Sequence, residues 1–170
     1  KYTKTQAQEI LNVINIMLNK AKIIKISDIK STCDFSASMI EVPFNNFYKK
    51  VVKSIYEEGI NNFHIDVGDG RFITRKIDAL KKVKFLKKNF PKTTIHCHLM
   101  VKNPQKLKEN KKSYIEEYIT AGCNKIAVHE RSFVDENDLF LALNLIKKYK
   151  AKPGIIIETY RNIDENLLQL

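Results

Sequence analysis

Short apolar runs alternate with amphipathic stretches along this chain, and that alternation limits the fold more than any other feature. "NNFHIDV" (61–67), "TTIHCHLMV" (93–101), "NKIAVHE" (124–130) and "KPGIIIET" (152–159) have the length and composition of strands. "DFSASMI" (34–40) is a shorter candidate. Residues 44–58 place Phe44, Phe47, Val51, Val52, Ile55 and Tyr56 on one side of a helix that Gly59 ends. Helices are also predicted over 76–89, 104–120 and 135–149, with Pro104 in a first turn, Gly122 past an end and Asp135 in a first turn. Residues 162–170 begin another. Residues 5–22 repeat Ile10, Val13, Ile14, Met17 and Leu18 at helical spacing and predict a helix ahead of the first strand. Strict β and α alternation means parallel strands joined by helical crossovers. An open doubly wound sheet and a (β/α)8 barrel both satisfy the pattern, although a whole barrel usually needs about 200–250 residues.

Composition narrows the class. An apolar share of 44% with 29% charged residues describes a globular chain with a core, not a disordered one. No run of about 18 apolar residues occurs, so no membrane span is expected. Cys33, Cys97 and Cys123 are widely spaced and form no CxxC pair, which fits a reducing, cytoplasmic setting. A net charge of +11 attracts anions. The lysines are dense over Lys81–Lys88 and Lys102–Lys112, the pattern of solvated helix faces. Arginine is scarce and aromatics do not interleave with the basic residues, so nucleic acid is not the expected partner.

Four histidines concentrate the chemistry. Alternate strand residues share a face, so His64, Asp66 and Gly68 point one way, as do His96, His98 and Met100 on the following strand. Sequential parallel strands are usually neighbours. His64, Asp66 and His98 can therefore meet near the carboxyl ends of adjacent strands, where α/β folds place their sites. Two imidazoles and a carboxylate suit zinc, iron or manganese. A metal beside a carboxylate base suits abstraction of a proton α to a carbonyl. The alternative is a pair of buried strands whose histidines merely hydrogen-bond to neighbours. His129 closes its strand in "AVHE", either at the same mouth or in water. Cys97 faces away and reads as packing. Ser36 and Ser38 share a face of the first strand, within reach of a ligand.

"SMIEVPF", "EEGINNFHIDVGDGRF", "IHCHLMVKNP", "TAGCNKIAVHERS" and "AKPGIIIET" together resemble the ribulose-phosphate 3-epimerase family, in order, from about Ser36 to Thr159. The resemblance implies a (β/α)8 TIM barrel, here its first five βα units. It implies interconversion of ribulose 5-phosphate and xylulose 5-phosphate through a metal-held enediolate, or a related hexulose- or allulose-phosphate reaction. It implies that His64, Asp66 and His98 ligate a divalent metal, that Asp66 is also an acid/base carboxylate, that His64 and His98 contact substrate with Ser38, and that Met100 lies beside the enediolate. A sugar-phosphate substrate and a homo-oligomer are expected with it.

The chain departs from the family pattern at several points. Gly68 stands where the family has Met, Ile73-Thr74-Arg75 where it has V-P-N, and Glu158-Thr159 where it has N-P. The family's second catalytic Asp and phosphate-binding glycine loops belong to later strands, so the sequence is expected to be part of a longer chain. Residues 1–30 read as a helical extension and 31–170 as the first part of an epimerase-like barrel. An epimerase-like barrel that binds without turnover, and a lysine-rich polyanion binder on the same scaffold, are the competing readings.

Overall fold

The computed structural model describes residues 35–109 and 111–158. The expected helix over 5–22, the extension 1–30, Cys33 and the helix from 162 lie outside the described residues. The chain divides into two units, Lys1–Asp34 and Phe35–Leu170, and the described residues belong to the second.

The described elements run β1 (Ser36–Ser38), α1 (Asn46–Glu57), β2 (Asn62–Asp69), β3 (Lys76–Ile77), α2 (Leu80–Asn89), β4 (Thr94–Met100), α3 (Tyr114–Ala121), β5 (Lys125–His129), α4 (Glu136–Lys148) and β6 (Lys152–Ile156). Five strands pair in the order β1-β2-β4-β5-β6, each parallel to the next, and β3 hangs antiparallel off β2. That order separates the two architectures. A doubly wound sheet reverses direction at a switch point, so its chain order and spatial order differ. Here each new parallel strand adds beside the last, as in a (β/α)8 barrel, and the described residues form part of one.

Local chemistry sets the helix ends. Asn45 caps α1, its Oδ1 accepting from Phe47 N–H at 2.8 Å and Tyr48 N–H at 3.2 Å. The chain leaves α1 through Gly59, whose φ of 90° is open to glycine and strained for other residues. Ser113 and Glu116 make a reciprocal capping box on α3, and Gly122 ends it in the left-handed region. Asp135 caps α4 by accepting from Asp138 N–H at 2.9 Å.

Two expected helices start later than periodicity indicates. Residues 76–77 pair with Gly68 and Asp69 as β3, so α2 begins at Leu80. The helix expected over 104–120 begins at Tyr114. Its forerunner, "KNPQKLKENKK", offers one large apolar side chain, Leu107, which is exposed. With no apolar stripe to bury, the segment folds as turns, with Asn103 and Lys111 at positive φ.

β4 shows the layering most clearly. Ile95, Cys97 and Leu99 are buried, while His96, His98 and Met100 between them are half-buried. Phe63, Ile65 and Val67 of β2 join the buried set, together with Val52, Leu86, Ile115 and Ile146 of the helices. The core thus takes one face of the sheet and leaves the histidine-bearing face for other work. No helix among the described residues is long and apolar enough to cross a membrane.

Candidate active site

Parallel pairing in register brings the polar side chains together. Asp66 lies directly opposite His98, and His64 opposite His96, across β2 and β4. Ser38 of β1 pairs with His64, and Met100 of β4 with Gly68. Asp66 Oδ1 is 3.2 Å from His64 Nε2 and 3.0 Å from His98 Nδ1. Burial works against ionising Asp66, but hydrogen bonds from His64 and His98, and their charge, outweigh it and hold the carboxyl well below the usual range.

The donor set fits a divalent cation. One atom from each of His64, Asp66 and His98 lies within 4.8 Å of the others. A carboxylate oxygen can only accept, so the two ring nitrogens aimed at Asp66 Oδ1 must each bring a proton or share a cation with it. Two imidazoles and a carboxylate are the ligands that zinc, iron and manganese take.

The cluster extends beyond the trio. His129 is buried, and its ring stacks on that of His98 at 4.9 Å between centroids. The two Nε2 atoms are 2.7 Å apart. Burial, then the neighbouring His98, lower the pKa of His129. Its Nδ1 faces Glu158 Oε1 at 3.5 Å, and Glu158 in turn pairs with Arg131. Phe72 covers the other side of His129 at 4.7 Å, with the Arg131 guanidinium 4.5 Å above the Phe72 ring. His96 meets His64 edge-on at 4.9 Å and contributes no atom to the trio. Ser38 is exposed beside His64, and Met100 is half-buried at the end of β4.

Sequence reasoning left His129 between mouth and solvent, and it took Glu158 only as a departure from a pattern. The sheet order resolves the first, since β5 is the strand beside β4. It missed Asp69 as well. That carboxylate accepts from the backbone N–H of Arg71 and Phe72 at 2.8 Å each and of Lys102 at 3.0 Å, tying the loop after β2 to the loop after β4. Glycine on both sides of an acid was the available signal.

Gly68 also has a physical reason. A Cβ there would lie 2.6 Å from the Arg75 carbonyl oxygen and 2.8 Å from Ile73 Cδ1. The segment 73–75 rests on the bare backbone of β2, so the two departures from the family pattern belong to one local arrangement. Beside this loop, Arg71, Lys76, Lys102, Lys106 and Lys108 line a cleft of about 700 Å³ with Tyr114 as one wall.

Residues 34–168 match the model of the Ribulose-phosphate 3 epimerase family. The chain belongs to that family. Curated relatives agree at low identity. The ribulose-phosphate 3-epimerase of Aquifex aeolicus is 29% identical over 107 residues, 62% of this chain and 43% of the relative. That of Synechocystis sp. is 26% identical over 133 residues, 75% of this chain and 51% of the relative. The chloroplastic ribulose-5-phosphate-3-epimerase of Arabidopsis thaliana is 27% identical over 136 residues, 75% and 42%. The chain spans about half the length of the curated relatives it matches.

Proposed function

We propose that this chain supplies one half of a metal-dependent epimerase site acting at C3 of a ketose phosphate, of the ribulose 5-phosphate and xylulose 5-phosphate type. The observation that carries the reading is the meeting of His64 Nε2, Asp66 Oδ1 and His98 Nδ1 at adjacent parallel strands of a family member. His64, Asp66 and His98 would hold the cation, which supplies Lewis-acid stabilisation of negative charge developing on the substrate oxygens.

The chain's own residues do the rest. Asp66 stays ionised through the neutral range, so its carboxylate can accept the proton on one face of substrate C3, while inversion needs a second acid/base group to deliver a proton on the opposite face. His64 and His98 orient that carboxylate and border the substrate. Ser38 would hydrogen-bond a substrate hydroxyl, a role that its pairing beside His64 and its exposure support. Met100 gives the mouth an apolar wall without competing hydrogen bonds. Ribulose-phosphate epimerases fit this set. Hexulose- and allulose-phosphate 3-epimerases use the same chemistry, and the changes at Gly68, Arg75 and Glu158 bear on which sugar is taken.

The test is made on the full-length protein. It is expected to bind about one divalent metal and to exchange the C3 proton of a ketose phosphate with deuterium from solvent. Metal-loaded protein without exchange refutes the reading. A second reading, an epimerase-like barrel that binds without turnover, is favoured by the loop seated on Gly68 at the edge of the mouth. An Asp66→Asn substitution with no phenotype in cells where deletion has one supports it.

A further inference from the structure

Glu158, Arg131, His129 and His98 form a chain of contacts that ends on the candidate metal ligands. Glu158 is also a position where the chain departs from its family's sequence pattern. When His98 Nδ1 ligates a cation, hydrogen-bond bookkeeping along that chain has one solution. An ionised carboxylate only accepts, so the His129 Nδ1 that faces Glu158 at 3.5 Å carries the proton. The contact is longer than a good hydrogen bond, and His129 Nδ1 has no other partner and is out of contact with water. A neutral imidazole carries one N–H, so His129 Nε2 is then an acceptor. His98 Nε2, 2.7 Å away, must be the donor. With its N–H committed there, the neutral His98 ring has its Nδ1 lone pair free for a cation shared with Asp66, whose Oδ1 is 3.0 Å away.

We infer that His129 and Glu158 are positioning residues for His98, fixing the ring form in which Nδ1 can ligate a cation. The inference rests on the metal reading of His64, Asp66 and His98. Arg131 holds the Glu158 carboxylate in place and neutralises it, so the arrangement buries no uncompensated charge. Stacking fixes the other degree of freedom, because His129 lies between the rings of His98 and Phe72 and cannot turn away. Metal-bound histidines generally hand their second N–H to a fixed acceptor, and loss of that acceptor typically weakens metal affinity about 10–100-fold.

Two measurements on the full-length protein test this. In zinc-loaded protein labelled with ¹⁵N in its histidines, ring NMR is expected to show His129 as the Nδ1–H form and His98 carrying its proton on Nε2. Competition with a chromophoric chelator then gives zinc affinity. His129→Phe keeps the stack but removes the acceptor, and Glu158→Ala removes the carboxylate. Each is expected to weaken zinc binding by about tenfold or more. Glu158→Gln is expected to recover most of it, since its amide oxygen accepts the same N–H.

An Nε2–H form at His129 overturns the inference. So does full zinc affinity in His129→Phe, which is what a purely packing role gives. Absence of zinc binding in the unsubstituted protein overturns the metal reading instead.

Discussion

Gly68→Ala is the sharpest test of the loop that borders the site. The added Cβ would sit 2.6 Å from the Arg75 carbonyl oxygen, and ordinary contact begins near 3.4 Å. The backbone of Arg75 must therefore withdraw by about 0.8 Å, and Ile73 Cδ1, at 2.8 Å, by somewhat less. Ile73 Cδ1 can turn aside at the end of its side chain, but the Arg75 backbone cannot move freely. Gly68 is paired with Ile77 two residues past Arg75, and the Arg75 side chain is ion-paired to Glu41 at 2.9 Å. Overpacking a fixed site costs about 1–3 kcal/mol. Against it stands the gain of about 0.4–1 kcal/mol from stiffening the unfolded chain. The net expectation is a loss of about 1–2 kcal/mol, or roughly 2–8 °C in Tm for a domain of this size. Urea and thermal melts of the full-length protein measure it. Metal affinity should change by less than about twofold, because the methyl group meets the loop and not the trio. A neutral or stabilised variant would show that residues 73–75 do not rest on β2 in solution. Gly68→Met, the family's own residue, is expected to be worse unless the whole loop swings away.

Four further outcomes are expected. Asp66→Asn removes the anionic ligand and should abolish tight metal binding in a calorimetric titration while leaving the protein folded. Asp69→Ala breaks three backbone hydrogen bonds to a carboxylate whose side chain is 1% exposed, and should cost about 2–3 kcal/mol in a urea melt. Burial resists the Asp69 charge, but the N–H groups of Phe72, Arg71 and Lys102 lower its pKa in the folded state. Its contribution is therefore complete above the unfolded value of about 4 and fades as pH falls through the folded one, so Asp69→Asn should flatten the acid limb of the stability profile. Lys82 is buried with its ammonium on the Met39 carbonyl at 2.7 Å, and burial, then Arg75, lower its pKa. Lys82→Met should stabilise the protein by about 1 kcal/mol near neutral pH, with the gain shrinking as pH approaches the unfolded lysine value of about 10.4, where the wild type no longer has to bury a charge.

Periodicity made the five parallel strands and the long helices readable, because a strand's period of two and a helix's of 3.6 leave different marks on where Ile, Val and Leu fall. The face shared by His64, Asp66, His98 and Met100 followed from the same rule. The barrel-like order did not, since doubly wound sheets use identical units. Short polar segments were the harder cases. β3 is two residues long and gains its strand character only from the backbone of Gly68 and Asp69. Residues 102–109 and 111–112 carry lysines that suit a helix, but with no core to cover they fold as turns, with Asn103 and Lys111 at positive φ. Glu158 meets His129 across strands, a contact between distant residues that no local pattern encodes. The Lys81–Lys88 patch is a solvated helix face as its spacing indicates, with Lys82 the one member turned inward.

The cleft formed by Arg71, Lys76, Lys102, Lys106 and Lys108 has a kinetic consequence. Its cations come from β3 and from the loops after β2 and β4, which the Asp69 carboxylate joins, and Arg71, Lys106 and Lys108 are partly offset by Asp69, Asp138 and Glu117. A phosphorylated substrate of the kind proposed diffuses as a dianion and is attracted by the net positive charge here. Such a field can raise encounter rates about 10-fold to 1,000-fold at low ionic strength. It reaches only about 8 Å at physiological salt, so the guidance acts over the last few molecular diameters of approach. Added salt would then slow capture without altering any later step.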